Sequence, residues 1–153
     1  MLKKTSVVIL GLIALARFSF ADGMSAEEIG KALPKSYSGT YVWGASGSPW
    51  SALVSFADAK VLKDGTVEAT GTEHFVNSTN PSDTYDSKVR ATINAQTLTF
   101  EMEEIYAGTK EGFVPMIYRG KISSDLRYID ASWISTKSEK VTLTLTAAVP
   151  KSE

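Results

Sequence analysis

KVRATINAQTLTFEME, residues 88–103, holds two alternating runs and the turn between them. Val89, Ala91 and Ile93 take one side of the first run; Arg90, Thr92 and Asn94 take the other. In the second run Leu98, Phe100 and Met102 oppose Thr99, Glu101 and Glu103. Successive side chains on a strand point to opposite faces, so a period of two with one apolar set and one polar set marks a half-buried strand. Asn94-Ala95-Gln96 between the runs leaves room only for a tight hairpin.

The same reading extends in both directions. Val141, Leu143, Leu145 and Ala147 oppose Thr142, Thr144 and Thr146. Lys63-Asp64-Gly65 and Ser123-Ser124-Asp125 are further tight turns. Strands are expected at Gly39–Trp43, Trp50–Leu62, Thr66–Val76, Tyr85–Asn94, Thr97–Tyr106, Phe113–Ile122, Leu126–Ser135 and Lys140–Val149. No helical pattern separates them, which excludes βαβ units and leaves an antiparallel meander. Long connections at Gly44–Pro49, Asn77–Thr84, Ala107–Gly112 and Thr136–Glu139 alternate with the tight ones. The expected fold is all-β: an eight-stranded antiparallel up-and-down barrel with one short N-terminal helix. Closure removes exposed strand edges, and it would gather the long loops at one end. Two packed sheets of the same strands are the alternative.

Upstream, Ser25 followed by Glu28 is a capping box, with Met24 and Ile29 placed for a hydrophobic staple and Pro34 as the stop. A short helix is expected over 26–33, within an N-terminal segment 22–37 that precedes a barrel domain at 38–150. Before it, two lysines at Lys3 and Lys4 lead the apolar run Val7–Ala16 and the small residues Ser19 and Ala21. Ten apolar residues reach ~15 Å as a helix, about half of a bilayer core. Residues 1–21 therefore read as a cleaved signal peptide, and the protein as periplasmic or secreted.

Formal net charge over 153 residues is −1, and removing Lys3, Lys4 and Arg17 makes the remainder more acidic. Nothing here attracts nucleic acid or an anionic membrane. The chain has no cysteine. An exported domain of this kind must be held by its core alone.

Two stretches and the layout around them carry a family resemblance. Gly39-Thr40-Tyr41 stands where lipocalin and avidin-type barrels place a Gly-X-Trp on the first strand, and Ile129–Trp133 is similar to the stretch around an inward tryptophan of avidin-type barrels. A short helix before the first strand and long loops at the far end complete the likeness. The chain thus resembles the calycin group, which implies an eight-stranded barrel open at one end. It departs from the avidin type in two respects. The residues expected inside, from Tyr41, Val54 and Phe56 through Val89 and Phe100 to Leu143, are almost entirely apolar, and the last strand has no aspartate. Biotin binding is not expected.

Trp43, Trp50, Phe75, Tyr85, Tyr106, Phe113 and Trp133 all fall at strand ends beside the long loops. Rigid aromatics around a barrel mouth suit capture of an apolar or planar molecule. Packing at the end of the core is the plainer reading. The function expected is a non-enzymatic barrel binding a small hydrophobic or aromatic ligand at these residues, without a cofactor. Two alternatives stand beside it: an interaction or inhibitor module using the long loops, and an outer-membrane barrel with its apolar face outward. Catalysis has little to draw on. His74 is the sole histidine, and Glu101 and Glu103 share a polar strand face. A metal site would lack thiolates and a second imidazole.

Overall fold

A computed structural model describes residues 23–44, 47, 49–107, 116–134 and 140–148. The proposed signal segment lies outside them. Among the described residues the chain forms helix α1 (Ala26–Ala32) and eight strands: β1 (Ser36–Trp43), β2 (Pro49–Val61), β3 (Thr66–Asn77), β4 (Thr84–Asn94), β5 (Thr99–Ala107), β6 (Ile117–Ile122), β7 (Tyr128–Ile134) and β8 (Lys140–Ala147). Each strand pairs antiparallel with the next, and β8 returns to β1 through Gly39↔Leu145 and Tyr41↔Leu143. The sheet is a closed barrel, not a sandwich.

The turns form as their residues dictate. Asn94 Oδ1 accepts from the backbone N–H groups of Gln96 and Thr97, each at 3.0 Å. Gly65 takes φ +78, a left-handed conformation open to glycine without a steric penalty, while Asp64 Oδ1 accepts from Thr66 N–H. Two leucines sit in that same left-handed region, Leu98 at φ +52 and Leu126 at φ +60. This costs about 1–2 kcal/mol per residue. Leu126 is held there by burial, and its carbonyl oxygen accepts a 2.6 Å hydrogen bond from the Tyr37 hydroxyl.

Strand β1 begins at Ser36, inside the segment expected to precede the barrel. Tyr37 is consequently a core residue, opposite Val54 and Ala147 and edge-to-face with Phe56 at 5.9 Å. Helix α1 closes the tight-turn end. Its capping box is complete: Glu28 Oε2 accepts from Ser25 N–H at 2.7 Å, and Ser25 Oγ accepts from Glu28 N–H. Ile29 and Leu33 are buried, and Gly30 faces Val61 and Val67 near the β2–β3 turn.

Inward glycines bear on the barrel's shape. A Cβ on Gly71 would overlap the Ser55 carbonyl oxygen, and one on Gly120 would overlap that of Asp130. These small residues therefore permit close backbone approach where the strands bend. Two bulges add curvature. Ala57 and Asp58 on β2 oppose the single residue between Ala69 and Gly71, and Ile105 is the extra residue on β5. On the outside, Arg90 pairs with Glu103 at 2.6 Å and Arg119 with Glu101 at 2.7 Å.

Candidate functional site

At the long-loop end the strands deliver their terminal aromatics in two groups. Trp43 ends β1 and Trp133 lies near the end of β7, both opposite Val141. Their rings meet edge-to-face, centroids 5.6 Å apart at 65°. Trp43 keeps 37% of its surface exposed. The second group lies deeper. Phe75 is buried, 5.0 Å from the Tyr41 ring and stacked on Tyr85 at 6.0 Å. Register explains the stack, because Phe75 and Tyr85 are direct partners across β3 and β4. Trp50 is half-buried and packs against the same core. Tyr106 stands opposite Lys88 in the β4–β5 ladder. Phe113 lies outside the described residues. Of the seven expected residues, the structure brings Trp43 to Trp133 and Phe75 to Tyr85.

The expectation of an almost entirely apolar lining fails at three positions. Glu73, Ser87 and Glu104 are buried. Period two puts them there. Glu73 continues Val67, Ala69 and Gly71 along β3; Glu104 continues Phe100 and Met102 along β5; Ser87 precedes Val89 and Ala91 on β4. The signal that reveals them is thus the alternation itself, carried to the strand ends in spite of residue type. Glu73 and Ser87 are ladder partners, and Glu104 is opposite Val89, two residues along from Ser87. The polar group occupies the level below Phe75 and Tyr85.

Burial is the main force on this pair. It pushes the Glu73 carboxyl up to about 10, and the nearby Glu104 carboxyl adds to the rise. Glu104 is also raised by burial, partly offset by Glu73 and by the Met116 backbone N–H, which donates to its Oε2 at 2.9 Å. Two adjacent buried carboxyls resist carrying two charges, so the pair retains a proton at neutral pH. Among the described residues, no N–H or hydroxyl donor stands in full hydrogen-bond geometry to either Glu73 oxygen or to Glu104 Oε1. What approaches them is the other carboxyl of the pair, with the Ser87 hydroxyl beside Glu73 and the Tyr85 hydroxyl beside Glu104. Such groups are uncommon, since leaving a buried polar group unsatisfied costs about 1–3 kcal/mol.

Tyrosines enclose the carboxyls. Tyr41, Tyr85 and Tyr118 are each raised first by burial and then by the charge of Glu73 and Glu104. The Tyr118 hydroxyl donates to the Met116 sulfur at 3.3 Å, with Tyr41 reaching the same sulfur at 3.8 Å. Among the described residues no three His, Cys, Asp or Glu side chains are grouped to hold a metal ion. His74 lies on the outer face, 2.7 Å from Asp86 across the ladder. No protein-family model matches this chain, and no curated protein matches it.

Proposed function

We propose that the protein is an exported barrel that binds a small hydrophobic or aromatic molecule at its long-loop end. One observation carries the reading: two indoles meet edge-to-face at the rim, one of them substantially exposed, above the buried Tyr41–Phe75–Tyr85 group. Rigid rings at a rim present apolar area with little conformational entropy to lose on binding. The calycin-like closed barrel, whose longer connections fall at one end, supports it, as does the export signal read from residues 1–21. A membrane barrel of the same strands requires the apolar face outward. Here Val89, Phe100 and Leu143 are buried, while Arg90, Arg119 and Glu101 are outside.

Native mass spectrometry of the protein recovered from its own periplasm without detergent tests this reading. A bound species lost on denaturation supports it, and a bare chain counts against it. Contact with a protein partner is the second reading. It draws on the loop after β3, where Asn77 Oδ1 accepts from Thr79 N–H and Asn77 N–H donates to the Asp83 carbonyl oxygen, giving a pre-shaped surface. Replacing residues 78–82 and losing a pulled-down partner would favour it.

A further inference from the structure

We infer that Glu73 and Glu104 form the recognition subsite for the head group of the ligand, and that this head group is a primary amine carried on an aromatic or apolar body. The inference rests on the ligand-binding reading above and names the chemistry of the molecule bound.

Geometry and burial carry the argument. Glu73 is fully buried, and no N–H or hydroxyl donor among the described residues is in full hydrogen-bond geometry with its carboxyl oxygens, which are approached only by the Glu104 carboxyl and the Ser87 hydroxyl. Glu104 is asymmetric: its Oε2 is held by Met116 N–H, while its Oε1 has no donor in full hydrogen-bond geometry and the carboxyl faces Glu73 and the Tyr85 hydroxyl. A barrel needing only a packed core would place apolar side chains at these inward positions, as it does at Val67, Ala69, Val89 and Met102. Three oxygen atoms that accept hydrogen bonds match the three donors of a primary ammonium group. Around them stand Tyr41 from β1, Phe75 from β3, Tyr85 from β4 and Tyr118 from β6. Aromatic faces attract cations, and more strongly where water is excluded. A divalent metal ion fits less well. Calcium takes six to eight oxygen ligands, and this group offers two carboxyls and phenols.

Binding is linked to protons. Facing the pair are Tyr41, Tyr85 and Tyr118, all neutral at physiological pH, together with the Ser87 hydroxyl. The empty pair therefore holds its own proton. An entering ammonium keeps all three of its protons and donates them to the carboxylate oxygens. The proton previously on the pair leaves to solvent, so charge and protons balance. Amine affinity should rise with pH between about 6 and 8.

Titration calorimetry with 2-phenylethylamine and with 2-phenylethanol, which replaces the amine by a hydroxyl, tests the inference. The expected result at pH 7.5 is at least tenfold tighter binding of the amine. Comparing phosphate and HEPES buffers, neither of which carries a primary amine, should reveal close to one proton released per amine bound. In Glu73→Gln and in Glu104→Gln, with folding checked by near-ultraviolet circular dichroism, the preference for amine over alcohol should collapse toward unity. Alcohol binding as tight as amine, or a preference that survives both variants, overturns the amine subsite and leaves the ligand-binding reading standing. Heat from calcium chloride in place of the amine also overturns it. If neither organic probe binds and the native mass spectrum shows a bare chain, the ligand-binding reading falls and the subsite with it.

Discussion

Replacing Glu73 by glutamine should make the protein more stable at neutral and alkaline pH, and the pH dependence is as informative as the gain. In an unfolded chain a glutamate titrates near 4.3. In the barrel, burial and the neighbouring Glu104 carboxyl raise Glu73 to about 10. Between these values the folded chain holds a proton that the unfolded chain has released. Stability then falls as pH rises: the contribution is fully present below the unfolded value and is lost on passing through the folded one. Each proton held differentially changes stability by at most about 1.4 kcal/mol per pH unit. From pH 6 to pH 8 the limit is about 3 kcal/mol, a large part of the 5–15 kcal/mol typical of a domain. Glu28, Asp64 and Asp125 have lowered values and act in the opposite sense, but their effect is complete below pH 5. Urea unfolding followed by tryptophan fluorescence at pH 5, 6, 7 and 8 measures the slope. Wild type should lose about 1–3 kcal/mol between pH 6 and pH 8. Glu73→Gln should lose distinctly less, the remainder coming from Glu104. Glu101→Gln, at an exposed position paired with Arg119, should run parallel to wild type. A wild-type stability that is level or rises from pH 6 to 8, or a Glu73→Gln variant with the full slope, would refute the reasoning.

Three further outcomes follow from named contacts. Ser25→Ala removes the oxygen that accepts from Glu28 N–H and should cost about 0.5–2 kcal/mol in thermal or urea unfolding, without altering the β-sheet circular dichroism signal. Gly71→Ala places a methyl group against the Ser55 carbonyl oxygen and should cost about 1–3 kcal/mol, whereas Gly23→Ala, which meets nothing within 4 Å, should be near neutral in the same melts. Trp133→Ala removes the edge-to-face partner of Trp43 and should weaken ligand capture more than it lowers the melting temperature; an unchanged binding isotherm would mark the rim pair as packing alone.

The barrel was legible because its evidence is local and repeated. Val89, Ala91 and Ile93, then Phe100 and Met102, are inward as their alternation requires, and Asn94 caps the turn between them. Legibility failed where the decisive contact is distant or the residue type argues against the period. Tyr37 has serine on both sides and shows its burial only through closure, when Val54 and Ala147 come to stand beside it. The bulge at Ile105 answers to barrel curvature and leaves no local mark. Leucine gives no sign of a left-handed backbone at Leu98 or Leu126. Glu73 and Glu104 show the sharpest conflict. Period two sends both inward, while the rule that carboxylates stay in water sends them out. Here the period prevails.

That conflict has a direction along the barrel axis. At the tight-turn end Tyr37, Phe56, Phe100, Leu126 and Ile29 are buried among one another and capped by α1. At the long-loop end the interior accepts two raised carboxyls and leaves an indole partly exposed. Apolar burial is worth roughly 1.5–3 kcal/mol per large side chain, so the first end can offset the cost of the second. Sequence positions at the same inward parity are thus divided between two tasks by depth. Val67 and Ala69 fill the closed half of β3, and Glu73 and Phe75 occupy its open half. A fold that needed β3 only as a wall would gain stability from an apolar residue at Glu73. The buried carboxyl oxygens there, faced by no fixed donor in full hydrogen-bond geometry, are therefore the strongest reason to look for a ligand at that level of the barrel.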